Sequence, residues 1–124
     1  MYHIKIDKAD KLFSQWIRLR DMECKRCHSK VQLNLYGLPV SHQASHFQGR
    51  GKEATRFDPI NVDTLCSGCH QYFTANPAEH YLWQVKTKGQ DVVDKIVLTS
   101  NMYHKKDRAS EVIYWKQKLS DIIK

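Results

Sequence analysis

Residues 7–21, DKADKLFSQWIRLRD, place Leu12, Phe13, Trp16 and Ile17 at i, i+1, i+4 and i+5, the stripe of an amphipathic helix, with Asp7 or Asp10 at its start. From Val31 to Leu35 apolar and polar positions alternate before YGLP breaks the pattern, which predicts a short strand and a turn. A second strand is expected within residues 38–47. Residues 48–59, QGRGKEATRFDP, read as loop, with Gly49, Gly51 and Pro59 as breakers. The β-branched alternation of INVDTL predicts another strand. Beyond it HQYFTAN can start a helix, and Asn76-Pro77 fits a cap followed by Pro at the first position of a further helix running to about Lys88, ahead of Gly89. Val92, Val93, Ile96 and Val97, then Val112, Trp115, Leu119 and Ile122, recur at helical spacing.

The order is helix, small β-rich centre, helices, an α+β arrangement. With 124 residues the chain is long enough for one real core and too short for two ordinary domains, so residues 1–124 read as a single domain. No run approaches the length of a membrane span or of a signal-peptide apolar core, so no membrane partner is expected and the default compartment is cytoplasmic.

Formal charge is +7, unevenly spread. Lys and Arg outnumber Asp and Glu by 8 to 4 in residues 1–36, equal them at 3 each in residues 37–76, and exceed them by 9 to 6 in residues 77–124. Basic flanks around a neutral middle favour a polyanionic partner, nucleic acid first, because neutralising phosphates releases condensed counterions. A merely solubilising surface has the same charge signature.

Four cysteines in a reducing compartment are poor candidates for two disulfides, and their spacing points elsewhere. Cys24-x2-Cys27 and Cys66-x2-Cys69 are two knuckles, each able to wrap a turn around one ion, and four thiolates complete a tetrahedral Zn²⁺ with no open position. The expected zinc is therefore structural. A compact zinc ribbon has roughly 15–20 residues between its knuckles, whereas residues 28–65 make 38 here. The insertion holds SHQASHFQGR, with His42 and His46.

His46, Asn61 and His70, framed by the two knuckles, resemble the HNH (ββα-metal) nuclease family. Within that family QASHF, TRFDPINVDTLCSGCH and the following FTAN look like phage recombination nucleases of the NinG/Rap type, a likeness that extends to the Lys88-Gly89 break and the basic helical tail. The resemblance implies a small ββα-metal core over about residues 22–76, stapled by the four-cysteine zinc site, with an N-terminal helix before it and a helical extension over about residues 77–124. It implies a DNA endonuclease that hydrolyses phosphodiester bonds, possible substrates being branched or single-stranded recombination intermediates.

Residue by residue, the resemblance makes His46 the general base, Asn61 the residue that steadies it through a side-chain or backbone carbonyl, and His70 the ligand of a catalytic divalent ion, Mg²⁺ or Mn²⁺. Many members carry Asp directly before the base histidine as a second ligand. This chain has Ser45, a poor ligand for a hard cation. His42 would stand about 13 Å from His46 along an extended strand, too far to share its ion, and suits a phosphate contact at the groove edge. Arg50 and Arg56 are candidate phosphate clamps, with Asp58 or Asp63 as competing partners for Arg56. Lys105 and Lys106 could track the DNA backbone together with Arg108, Lys86 and Lys88. His28 adjoins the first knuckle, and His3, His80 and His104 belong to no constellation. The alternative expectation is a non-catalytic zinc module that only binds nucleic acid, and Ser45 is the feature that favours it.

Overall fold

The apolar stripe of residues 12–17 is realised in helix α1, Lys8–Asp21, of the computed structural model, which describes residues 4–123. His3 lies outside the described residues. Both candidate starting residues take part in the cap. The Asp7 carboxylate accepts the Asp10 N–H at 3.1 Å and the Asp10 carboxylate accepts the Asp7 N–H at 2.9 Å, a reciprocal capping box. Phe13 and Ile17 are buried, with Ala9 one turn earlier, while Leu12 and Trp16 flank them half-buried.

The sheet is smaller than the alternation predicts. It consists of β1, Gln43–His46, antiparallel to β2, Val62–Leu65, with Ser45 opposite Asp63 and His46 opposite Val62. Residues 31–40 form only an isolated bridge, Leu33 to Pro39, closed by a turn in which the Asn34 carboxamide oxygen accepts the N–H groups of Tyr36 and Leu38. Gly37 supplies the positive φ of 77° that this turn needs. His42 also has a positive φ, 65°, so the extended path begins only after it. Pro59–Asn61 forms a 3-10 turn capped by Asp58, which shortens the strand expected from Ile60 onward.

Four further helices follow: α2 Ser67–Ala75, α3 Pro77–Lys88, α4 Gln90–Ser100 and α5 Arg108–Ile123. Pro77 has no N–H with which to continue α2, so the chain turns there. Asn76, expected to cap α3, instead donates its side-chain N–H to the Tyr72 carbonyl at 2.8 Å and closes α2. The result is a small α+β fold with five α-helices and one two-stranded sheet among the described residues, and none of those helices is long and apolar enough to cross a membrane.

Two apolar clusters support it. In the larger, α1 packs between the sheet and α5, with Phe13 touching Trp115 edge-on at 4.7 Å and Phe57 at 5.8 Å between ring centres. The smaller gathers Cys24, Leu65, Cys69 and Phe73 under the knuckles. A buried ion pair joins α1 to the loop after β1: Arg56 donates to both carboxylate oxygens of Asp10, from Nη2 at 2.6 Å and from Nε at 3.0 Å. Asp10 is 3% and Arg56 6% exposed, so neither partner can fall back on water. Asp10→Asn leaves the guanidinium buried against a neutral amide. It should lower unfolding free energy by about 3 kcal/mol, read from urea denaturation, without changing the zinc content.

Candidate active site

The four cysteine sulfurs lie within 4.8 Å of one another. Cys24 follows the end of α1 and Cys66 caps α2, and in each knuckle the N–H three residues on points at the first sulfur: Cys27 N to Cys24 Sγ and Cys69 N to Cys66 Sγ, both at 3.4 Å. Such N–H groups favour thiolates. Sulfurs bound at about 2.3 Å to one tetrahedral zinc stand roughly 3.8 Å apart, and Cys27 Sγ to Cys66 Sγ is 3.7 Å. The donor set fits a metal ion such as zinc. In the protein alone the thiols are unequal: hydrogen bonds from Ser29 bring Cys27 down to about 6, while burial pushes Cys69 up to about 12. Metal binding at neutral pH must therefore displace a proton from Cys69.

β1 and α2 meet at a cleft of about 420 Å³ whose lining includes Ser45, His46, Gln48, His70, His80 and Tyr81. His46 and His70, 24 positions apart in sequence, thus share one cavity. His46 Nε2 donates to the Arg56 carbonyl at 2.8 Å, since a carbonyl only accepts, and this leaves the lone pair of a neutral ring on Nδ1. The ring rests against Phe13, 6.0 Å between centres. Burial, opposed by the Arg56 carbonyl and reinforced by the Arg50 charge, brings the His46 pKa down to about 4. His70 lies in the first turn of α2, where its backbone N–H bonds the Cys66 carbonyl; its Nδ1 is buried with no partner among the described residues. Burial and then Arg50 lower its pKa too.

Asn61 works at one remove from His46. Its carboxamide accepts the Gln48 N–H at 2.8 Å and donates to the carbonyls of Gln48 and Thr55 at 2.9 and 3.1 Å, and its own carbonyl accepts the Phe47 N–H at 2.9 Å. It holds the loop that carries Arg56. The carbonyl that sets the His46 tautomer belongs to Arg56, in place of the Asn61 carbonyl expected from sequence.

Other expected residues divide. Arg50 retains an open face: its side chain is 30% exposed and its Nε, though buried, has no hydrogen-bond partner among the described residues. Arg56 is corrected from phosphate clamp to internal staple, because Asp10 occupies its guanidinium and neither Asp58 nor Asp63 does. Asp63 instead takes Lys88 at 2.8 Å, which removes Lys88 from the candidate DNA contacts. Lys106 adjoins a depression with Asp58 and Glu111, and neither it nor Lys105 lines the histidine cleft. His28 is exposed and paired with Glu23. His42 is not an open phosphate contact through its ring nitrogens: Nε2 meets the Ser29 carbonyl and hydroxyl, each at 3.0 Å, and Nδ1 meets the Ser41 hydroxyl at 3.0 Å.

His80, without a constellation in the sequence, proves to face the cleft. It stacks on Phe73 at 4.6 Å with ring planes 9° apart. The buried Gln84 donates from Nε2 to Asp63 at 3.0 Å, and the same nitrogen lies 3.2 Å from His80 Nε2. Asp63, also bound by Lys88, can only accept, so the amide nitrogen must face it, and its second hydrogen then points at His80 Nε2. The His80 proton consequently sits on Nδ1. The spacing of His80 and Gln84, one helical turn apart, is the available signal in the sequence, but only the fold supplies Asp63.

Two measurements follow. The His46 ring, followed by NMR through a pH titration, should titrate near 4, and Arg50→Gln should raise that value, because removing a nearby cation eases protonation. Since the folded pKa lies below the ordinary 6.5, the native state binds fewer protons than the unfolded chain between those values, and His46 costs stability as pH falls from 6.5 toward 4. Separately, purified protein should carry one zinc per chain, and Cys24→Ala should abolish it with loss of α2 helicity by circular dichroism.

In comparisons with known proteins, no family model, no curated protein and no solved structure matches this chain.

Proposed function

We propose that the protein is an HNH-type endonuclease that hydrolyses phosphodiester bonds in DNA, with His46 as general base. The observation that carries this reading is the bond from His46 Nε2 to the Arg56 carbonyl, which leaves an unprotonated Nδ1 in a cleft shared with His70. His46 takes a proton from water as the water oxygen attacks phosphorus. The P–O bond opposite breaks, its electron pair goes to the leaving oxygen, and that oxygen is protonated from solvent. A base already neutral down to about pH 4 is ready throughout the physiological range.

The donor chemistry fits a divalent ion at one position. A buried imidazole nitrogen with no partner among the described residues, His70 Nδ1, is an unmet ligand, and a bound divalent ion supplies Lewis-acid stabilisation of the charge that develops on phosphate oxygens. Among the described residues no carboxylate lines the cleft, and Ser45, 4% exposed, occupies the place of the usual Asp. An imidazole donor without carboxylates suits Mn²⁺ better than Mg²⁺. The net charge, +7 before a zinc tetrathiolate lowers it by two, supports a nucleic-acid partner bound mainly through phosphates.

The carboxylate-free cleft also favours a second reading, a zinc-stabilised module that binds nucleic acid without cutting it. Plasmid, single-stranded and four-way-junction DNA incubated with Mg²⁺ or Mn²⁺ separate the two. The nuclease reading expects nicking, faster in Mn²⁺, and loss of about 100-fold or more in rate for His46→Ala at unchanged zinc content and thermal midpoint. Cleavage by His46→Ala at the wild-type rate refutes the assigned base. DNA binding with no nicking of any substrate in either metal establishes the binding module.

A further inference from the structure

A second depression, about 360 Å³, lies on the α1 side of β1, and its lining includes Ser14, Arg18, His42, Arg50 and His70. His70 therefore borders both concavities, with the His46 cleft on one side and this basic hollow on the other. Among the described residues no acidic side chain lines the hollow.

The two arginines are poorly compensated. Arg18 is half-buried, yet it donates only to carbonyl oxygens, Ser14 at 3.3 Å and Ser41 at 3.2 Å, and desolvation depresses its pKa with no carboxylate to oppose it. The nearest acid to Arg50 is Asp10, whose oxygens are already taken by Arg56 at 2.6 and 3.0 Å; Arg50 Nε stands 3.8 Å off, beyond hydrogen-bond reach. Arg56 thus holds Asp10 and also reaches Glu53 at 3.5 Å, which leaves Arg50 only the distant share of Asp10, and Arg18 has no carboxylate partner among the described residues. Confining cations in a partly desolvated hollow without a counter-charge is costly, and an anion entering it relieves that cost. Guanidinium forks match phosphate oxygens in shape as well as charge.

We propose that this hollow binds a phosphate group of the nucleic-acid backbone next to the phosphate hydrolysed in the His46 cleft. The proposal rests on the nuclease reading for the identity of the strand, although the hollow's demand for an anion does not. Arg18 and Arg50 supply the N–H donors, and His42, its ring nitrogens already committed, serves as wall. The strand thus passes over His70, one phosphate on either side.

The test uses the full-length zinc-loaded chain without added Mg²⁺ or Mn²⁺, so that oligonucleotides stay intact. Fluorescence anisotropy with a single-stranded oligonucleotide, bearing either a 5′-hydroxyl or a 5′-phosphate, is measured across a salt series. Arg18→Gln is expected to weaken binding on the order of tenfold and to reduce the salt slope by about 1, equally for both oligonucleotides. Lys11→Gln, which removes the same charge from the exposed side of α1, should change binding less than about twofold. In parallel, titration with inorganic phosphate should shift the Nε–H signals of Arg18 and Arg50, and not that of Arg26 beside the zinc knuckle.

Because Arg18 also bonds two carbonyls, thermal midpoint and zinc content are compared for each variant. Arg50→Gln, which breaks no hydrogen bond among the described residues, reads the same hollow should Arg18→Gln fail to fold. Equal losses for Arg18→Gln and Lys11→Gln overturn the proposal in favour of diffuse attraction, and a loss confined to the 5′-phosphorylated strand overturns the assignment to a backbone phosphate. Wild-type affinity in both arginine variants sinks the hollow, and nicking by those variants when Mn²⁺ is added spares the nuclease. Phosphate shifts at Arg18 and Arg50 without any DNA binding leave an anion site but overturn its assignment to a nucleic-acid backbone, and the nuclease with it.

Discussion

The carboxamide of Asn61, wholly buried, makes three hydrogen bonds to main-chain groups of Gln48 and Thr55, while its own carbonyl takes the N–H of Phe47. Those contacts close the loop between β1 and β2 onto the end of the sheet. Without them buried backbone donors and acceptors would lack partners, at a cost of roughly 1–3 kcal/mol each. Much else hangs from the closed loop: the Arg56 carbonyl that orients His46, the Arg56 guanidinium that reaches Asp10 on α1, and Arg50 at the mouth of the basic hollow. An aspartate here could accept but not donate, so the Gln48 carbonyl would lose this donor and the Thr55 carbonyl would keep only the Asp58 N–H at 3.2 Å.

The knuckles act on a different part of the same frame. Cys66 caps α2, so an ion held by Cys66 and Cys69 would also orient the helix whose first turn carries His70. The first knuckle is tied to the sheet independently, the Lys25 backbone N–H donating to the Thr64 carbonyl at 2.8 Å, and the Thr64 N–H in turn donates to Asp21 at the end of α1. The cysteine cluster and the apolar core thus meet at β2. A small chain whose sheet has two four-residue strands would gain from such a staple what a larger core would otherwise provide.

How much of this is legible in the sequence depends on the range of the interaction. Helices α1, α4 and α5 follow the 3.6-residue stripe, and the paired knuckles announce themselves by spacing. Alternation overextends the strands because local events override it: the Asn34 turn, the left-handed backbone at His42 and the 3-10 turn of Pro59–Asn61. Arg56 is misread from sequence because its partner, Asp10, lies 46 positions away on an element whose packing the sequence does not display. His80 escapes notice for the same reason, since Asp63 joins His80 and its helix neighbour Gln84 only when α3 folds back on β2. The motif picks out His46 and His70 one at a time, and the fold brings them to one cleft.

The bond between His46 and residue 56 runs through a main-chain carbonyl, an atom that every amino acid possesses. The location of the imidazole proton is therefore encoded by the course of the backbone and by no particular side chain. Substitutions at position 56 can wear away the staple to Asp10 and slacken the loop, yet none can delete the acceptor itself. Mutational damage there should be graded, degrading alignment by degrees, whereas replacing His46 or His70 removes its ring nitrogens from the cleft at a single stroke.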